Sequence, residues 1–335
     1  MIWCCPRCRG TLLVDQKGLR CAACASTFEL VAGIPDLRIP GDSWIDFEDD
    51  LVLARELADL DCPLTELVRS VYARRPGWEQ GRIDLRTREV LEAPRKLDRE
   101  VTGWLRSTVE GKGILLDIGC GAGMLLAAVA PQNRPAIGID VSMTWLVVAK
   151  RLIAEFGGQP VLAAALGEAL PLASNSVTSL VSLDVIEHVR NVEQYLRELD
   201  RVVAPGGHVA LSTPNRFSLS AEPHVFVWGV GWLPRPWQRA FVRWRSGRTY
   251  DDTTLMSSLE LRRYVRRTTS FAIDILIPKI PREHLAAFRP LKRAIGRIYN
   301  LLAPIGPMRT FFLLVGPFFR IVGVQRKAGG EPCAR

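Results

Sequence analysis

Four of the eight cysteines stand as two Cys-x-x-Cys pairs, Cys5 with Cys8 and Cys21 with Cys24, with twelve residues between the pairs. Two such turns bring four thiolates to the corners of a tetrahedron, which suits Zn²⁺ and leaves no open coordination position for catalysis. The expected metal is therefore structural, its binding energy folding a segment too small to build a core of its own. The competing reading, a pair of disulfides, needs an oxidising compartment, and the first residues from Met1 to Arg7 show no apolar export signal. Cys4, Cys62, Cys120 and Cys333 have no partner spacing.

A second group of residues is arranged to hold a nucleoside. Gly119, Gly121 and Gly123 alternate where an apolar run, Ile114 to Ile118, meets a helical pattern from Met124 to Val129. Glycine at such a turn permits positive φ and lets a ligand approach the backbone closely. About twenty residues on, the strand Ala136 to Asp140 ends in a carboxylate suited to both hydroxyls of a ribose. Ser142 suits the N-cap of a helix from Met143 to Phe156. The loop has no phosphate-binding lysine, which disfavours a nucleoside triphosphate. Asp117 would repel a pyrophosphate but suits a cationic amino group. Together these residues favour S-adenosylmethionine over NAD.

The third group, Asp184, Glu187 and His188, follows an apolar strand from Val177 to Leu183. Side chains at that end of an open α/β sheet face the ligand crevice. A sulfonium methyl is already activated, so the protein must chiefly align a nucleophile and exclude water. His188 suits a general base, because its intrinsic pKa lies near neutrality. The alternative is that Glu187 and His188 cap the following helix and position the loop.

The order of these motifs resembles the class I SAM-dependent methyltransferases, in the subgroup of the ubiquinone-biosynthesis O-methyltransferases. The resemblance runs from about 113 to 218, with a weaker tail to 327. It rests on Leu115 to Gly123, Ile137 to Ser142, Leu170 to Leu172, Ser182 to Val189, Ala204 to Gly207 and Ser212 to Arg216. It implies an α/β, Rossmann-like sheet, mostly parallel, with the last strand, Phe318 to Gln325, antiparallel. It implies a cofactor site of Asp117, Gly119, Cys120, Gly121, Gly123, Asp140, Val141, Gly167, Glu168 and Leu183. Relatives often carry an aspartate four residues before the Leu170-Pro171 pair, contacting the adenine amino group; here that position is Leu166, and Glu168 is assigned to the contact. The acidic-x-x-Glu-His pattern also implies a third reading, a Mg²⁺ site of Asp184, Glu187, His188 and Asn215 that would bind the acceptor oxygen. Residues 2 to 38 resemble a Trm112-like zinc ribbon, through Cys5 to Leu12, Leu19 to Cys24, Phe28 to Leu30 and Gly33 to Leu37.

These groups need elements to position them. A chain of 335 residues suggests about two domains at roughly 150 residues each. With 48% hydrophobic and 24% charged residues, it is neither disordered nor a disulfide scaffold. The expected organisation is a zinc ribbon over 1–40, a helical connector or cover over 41–110, and a catalytic domain over 111–335 with inserts near 215–256 and 279–312. Leu51 to Leu60 has helical spacing, Arg75 to Trp78 breaks the pattern, and a second helix is predicted from Leu85 to Val109. Ser258 to Arg267 reads as a helix, Phe271 to Ile277 as a strand, and 328–335 as a loose tail.

The inserts carry the charge. The net charge is +9, and between Arg216 and Tyr250 six arginines face one glutamate, alongside four of the nine tryptophans. From Arg235 to Arg245, Trp237, Ala240, Phe241 and Trp244 share one helical face, with Arg235, Arg239 and Arg243 opposite. That is the composition of an interfacial helix on an anionic membrane; packing on the chain's own core is the alternative of equal weight. The expected acceptor is an oxygen of a small lipophilic molecule such as a quinone, polyketide or lipid-linked intermediate. The expected location is the cytoplasm, with peripheral membrane contact through 224–245. The second insert is again basic, with helical apolar spacing at Leu291, Ile295, Ile298 and Leu302. The rivals are an RNA methyltransferase, less favoured because arginine and tryptophan are concentrated on one short insert, and a scaffold that binds the cofactor without catalysis.

Overall fold

The computed structural model describes residues 2–15, 18–39, 45–101, 103–280, 285–286 and 288–326. The expected tail, Cys333, and Pro281 and Arg282 of the second insert lie outside the described residues. The N-terminal module is a three-stranded antiparallel sheet of β1 (Leu12–Asp15), β2 (Gly18–Cys21) and β3 (Thr27–Phe28), followed by a hairpin of β4 (Leu30–Val31) and β5 (Ile34–Pro35). The cover has four helices where two are predicted: α1 (Phe47–Ala58), α2 (Leu64–Ala73), α3 (Gln80–Val101) and α4 (Arg106–Val109). Pro63 cannot continue the first helix, because it lacks an N–H and disfavours helical backbone in the residue before it, so the chain restarts there.

The large sheet has seven strands: β6 (Leu115–Ile118), β7 (Ala136–Asp140), β8 (Val161–Ala164), β9 (Val177–Leu183), β10 (Val203–Pro214), β11 (Phe271–Leu276) and β12 (Phe318–Gln325). They are ordered β11-β12-β10-β9-β6-β7-β8, and β12 alone runs antiparallel to its neighbours. The order reverses between β6 and β9. This switch point opens a crevice at the carboxyl ends of the strands. All four side chains of β6 are buried, as a strand covered on both faces requires. Further α-helices among the described residues are α5 (Met124–Val129), α6 (Met143–Glu155), α7 (Val192–Val202), α8 (Arg235–Ser246), α9 (Ser258–Thr268), α10 (Pro290–Leu302) and α11 (Gly306–Val315).

The predicted boundaries at 40 and 110 are not breaks in packing. Leu12, Leu19, Phe28 and Leu37 join one apolar cluster with Leu116, Ile139, Leu172 and Leu196. Leu37 N–H donates to Ala164 O at 2.8 Å, so the end of the ribbon extends the sheet beyond β8. Arg9 reaches Glu198 of α7 at 2.8 Å. Leu57, Leu67, Val68 and Tyr72 of the cover pack with Leu146, Val147 and Ile153 of α6.

Candidate active site

The three loop glycines do different work. Gly119 has φ +70°, and a Cβ there would meet Val185 Cγ2 at 2.2 Å. Gly123 has φ +74° and a Cβ would lie 2.9 Å from the Ala149 methyl, so its bareness lets α5 pack on α6. Gly121 has φ +50° and nothing within 4 Å of a built Cβ, which leaves space for a ligand against its backbone. Its N–H donates to Asp140 Oδ2 at 2.7 Å, and Ser142 N–H donates to Oδ1 at 2.8 Å. Two backbone donors thus fix the Asp140 carboxylate while its outer lone pairs stay available to a diol. Burial raises its pKa, and these donors offset only part of the rise. Ser142 caps α6 as predicted.

Asp117 is buried, its backbone pairs with β7 and β9, and no hydrogen bond to its carboxyl is found among the described residues. Burial, reinforced by the nearby Asp140 charge, pushes its pKa up to about 8. A buried carboxyl without a partner costs free energy when ionised and is repaid by a cation. Cys120, predicted in the cofactor site, turns its thiol into the core near Gly138, and burial raises its pKa. Only its backbone remains for a ligand; motif position had suggested the residue, and side-chain direction decides otherwise.

A cavity of about 440 Å³ lies over the switch point, bounded by Gly119, Asp140, Val141, Leu166, Gly167 and His188 among others. A Cβ at Gly167 would strike the Tyr195 ring at 2.7 Å, so glycine is required by packing there. Glu168 also lines the cavity, but its Oε1 accepts from Arg190 N at 2.9 Å and Asn191 N at 3.4 Å, at the start of α7. The helix terminus therefore holds the carboxylate predicted for adenine. Behind the ribose position lies a network that sequence reasoning missed. Arg38 donates to Asp36, Asp50 and Val141 O, and Asp50 accepts from Ser142 Oγ, Met143 N and Thr144 N at the start of α6.

At the other end, Asp184 has φ +55° and accepts from Ser212 Oγ at 2.8 Å. Glu187 is buried; Oε2 accepts from Thr213 Oγ1 at 3.0 Å, and Oε1 has no hydrogen-bond partner. Burial first, and the Asp184 charge second, push its pKa up to about 7. His188 Nδ1 lies 2.8 Å from Asp252 O, so Nδ1 donates and Nε2 is the acceptor of the neutral ring. His224, from the first insert, stacks edge-on against His188 at 4.8 Å, and its Nδ1 is held by Glu222 Oε1 at 2.5 Å. Ligand atoms of Glu187, His188 and His224 lie within 4.8 Å of one another. Asn215, predicted as a ligand, is not available. Its Nδ2 donates to Leu314 O and Gly316 O and its Oδ1 accepts from Phe217 N, so it ties β10 to the segment before β12. His224 instead places an imidazole beside Glu187 and His188. The sequence signal for it was Glu222 two residues earlier, hidden within an apolar run.

Asp184 also lines a second cavity of about 480 Å³, with Leu183, Trp104, Ile280, Phe288 and Phe319 on its apolar walls and Lys279 and Lys292 at its polar ones. Leu183 thus faces this space and is absent from the walls of the first. Asp184 lines both cavities. In the ribbon, Cys5 Sγ lies 3.6 Å from Cys24 Sγ, and Cys8 Sγ lies 3.4 Å from Cys21 Sγ. All four sulfurs fall within 4.8 Å. A disulfide needs about 2.05 Å, whereas a tetrahedron with Zn–S of about 2.3 Å sets sulfurs about 3.8 Å apart. The four thiols therefore fit Zn²⁺. On α8, Trp237 and Trp244 are 65% and 78% exposed, so core packing does not account for that face.

Residues 116–211 match the family described as a methyltransferase domain. Similar curated proteins include the ubiquinone biosynthesis O-methyltransferases of Brucella anthropi, 35% identical over 125 residues, and of Sinorhizobium medicae, 32% identical over 123. Each match covers 36% of this chain, and the chain spans about half, 50%, of the length of either relative. Among solved structures, an S-adenosylmethionine dependent methyltransferase from Mesorhizobium loti is similar with a TM-score of 0.48 and 16% identity, over 69% of this chain and 100% of that one. A phosphoethanolamine N-methyltransferase of Haemonchus contortus is similar with a TM-score of 0.46 and 14% identity, over 79% and 60%. The strand order and the glycine cradle agree with that match, and residues 116–211 carry a methyltransferase domain.

Proposed function

We propose that the protein transfers a methyl group from S-adenosylmethionine to an oxygen of a small lipophilic acceptor seated in the second cavity. The observation that carries this reading is the position of Asp184, which lines both the nucleoside cavity and the apolar one. The cofactor supplies an activated methyl on a sulfonium. The chain's residues supply alignment and a place for the proton. Asp117 meets the ammonium of the cofactor and Asp140 the ribose diol. Asp184, oriented by Ser212 Oγ, faces the acceptor. The relatives named as ubiquinone biosynthesis O-methyltransferases support a quinol-like acceptor. Arg235 and Arg239 pair with Glu260 and Asp251, which leaves them poorly placed for the phosphates of an RNA.

Two metals belong to this reading. Zn²⁺ at Cys5, Cys8, Cys21 and Cys24 would hold the ribbon. A divalent cation at Glu187, His188 and His224 would lower the pKa of the acceptor hydroxyl. Both histidines have Nδ1 fixed by an acceptor, the second-shell arrangement that presents Nε2 to a metal. Two imidazoles and one carboxylate suit Zn²⁺, Fe²⁺ or Ni²⁺ better than Mg²⁺. Peripheral membrane contact through 224–245 fits the exposed Trp237 and Trp244. Among the described residues no helix is long and apolar enough to cross a membrane.

The test is methyl transfer from labelled cofactor into a lipid extract and into an RNA extract. Label should enter the organic-soluble fraction. Asp184→Asn, which tolerates the left-handed backbone, should lower turnover by about 100-fold with cofactor affinity nearly unchanged. Incorporation into RNA alone would overturn the reading.

A further inference from the structure

The second insert presents a surface that the function above does not use. The inner face of α10 is anchored: Tyr299 OH donates to Pro278 O at 2.8 Å, Asn300 bonds both N and O of Ile280 at 2.8 Å, and Gly296 lets the helix close on Leu285. The outer face is apolar nonetheless. Leu291, Ile295, Ile298 and Leu301 are 75%, 59%, 56% and 71% exposed, and Ile305 continues the stripe into the turn before α11. From Ile298 to Met308 the chain carries no charge, and from Leu285 to Arg326 it has seven arginines or lysines and no acid. Arg289, Lys292 and Arg297 are exposed and flank the stripe. Lys292 and Phe288, at the start of the same helix, also line the second cavity.

We propose that the α10–α11 hairpin docks on an anionic bilayer, with α10 lying in the plane of the interface and the second cavity opening beside it. An apolar stripe between cations is the pattern of an in-plane interfacial helix. A second copy of this chain is the poorer occupant, because a symmetric contact would set the same acid-free basic surface against itself. The docking rests on the proposed lipophilic acceptor only for its purpose: the substrate would pass from the lipid into the cavity without crossing water.

Flotation of the full chain with vesicles tests it. Vesicles of phosphatidylcholine with about a third phosphatidylglycerol should carry the protein, and pure phosphatidylcholine should carry much less. Each basic residue near an anionic surface strengthens binding about fivefold, so Lys292→Glu with Arg297→Glu should weaken it by more than about twentyfold. Ile295→Asp with Ile298→Asp, both at exposed positions, should abolish flotation while leaving cofactor affinity by calorimetry unchanged. The proposal is overturned if only Trp237→Ala with Trp244→Ala removes binding, or if the wild type ignores vesicles and the isoleucine pair instead turns a dimer into a monomer. A wild type that floats but binds no cofactor would sink the methyltransferase reading and leave the docking supported.

Discussion

The proposed pairing of Asp117 with the cofactor's ammonium predicts an affinity that depends on pH. In the unliganded chain its carboxyl titrates near pH 8, raised by burial and then by Asp140. An unfolded aspartate titrates near 3.9. The folded pKa is the higher one, so this group favours the folded state fully below about pH 4, and that contribution is lost as pH rises towards 8. Pairing with the ammonium of S-adenosylmethionine requires the ionised form. With a pKa of about 8, about 1% is ionised at pH 6 and about a quarter at pH 7.5, so affinity should rise about 25-fold across that window. Above about pH 7.8 the ligand's own α-amino group loses its proton and the gain should stop. Calorimetry in two buffers of different ionisation enthalpy should show nearly one proton released per cofactor bound at pH 6.5. Asp117→Asn should flatten the profile. A wild type with constant affinity from pH 6 to 7.5 and no proton release would refute the pairing.

Three further outcomes follow from the same geometry. Metal analysis should find one zinc per chain in the ribbon, absent in Cys21→Ser; because the ribbon and the sheet share one apolar cluster, calorimetric unfolding of that variant should show a lower Tm for the whole chain, not the loss of a separate small transition. Gly121→Ala should cost only about 1–2 kcal/mol of stability, from left-handed backbone strain, because its Cβ meets no protein atom, yet cofactor affinity should fall more than tenfold; an alanine variant that binds normally would mean the ligand does not approach there. Glu168→Gln should lower stability by about 0.5–1 kcal/mol, measured by denaturant unfolding, through the weakened α7 terminus, with cofactor affinity changed less than threefold; a large affinity loss would restore the adenine contact.

How much of this was legible beforehand depends on the range of the interactions. The glycine loop, Asp140 and the strand from Val177 to Leu183 are local: strand, turn and helix follow one another, and periodicity with glycine placement suffices. The antiparallel β12 was reached through the resemblance. The hold of Glu168 on the start of α7 was not legible, because a carboxylate beside a pocket and a carboxylate at a helix start look alike until that start is located. The engagement of Asn215 escaped for a related reason, since nothing local in the sequence shows that 314–316 returns to occupy its amide. The second cavity was beyond reach. Its walls come from five separate stretches, near 97–105, 183–184, 212–220, 278–292 and 317–320, which only the finished sheet brings together.

Arg38 has a consequence for how the two ends of the molecule communicate. It stands one residue past Leu37, which pairs with the sheet edge, and it grips Val141 O directly after Asp140. Unwinding the cysteine module would slacken that grip and the start of α6 with it. Thermodynamic reciprocity then demands the converse: whatever factor the metal adds to nucleoside affinity, a bound nucleoside must add to retention of the metal. A chain saturated with its methyl donor should thus keep more of its zinc at equilibrium with a chelator than an empty one.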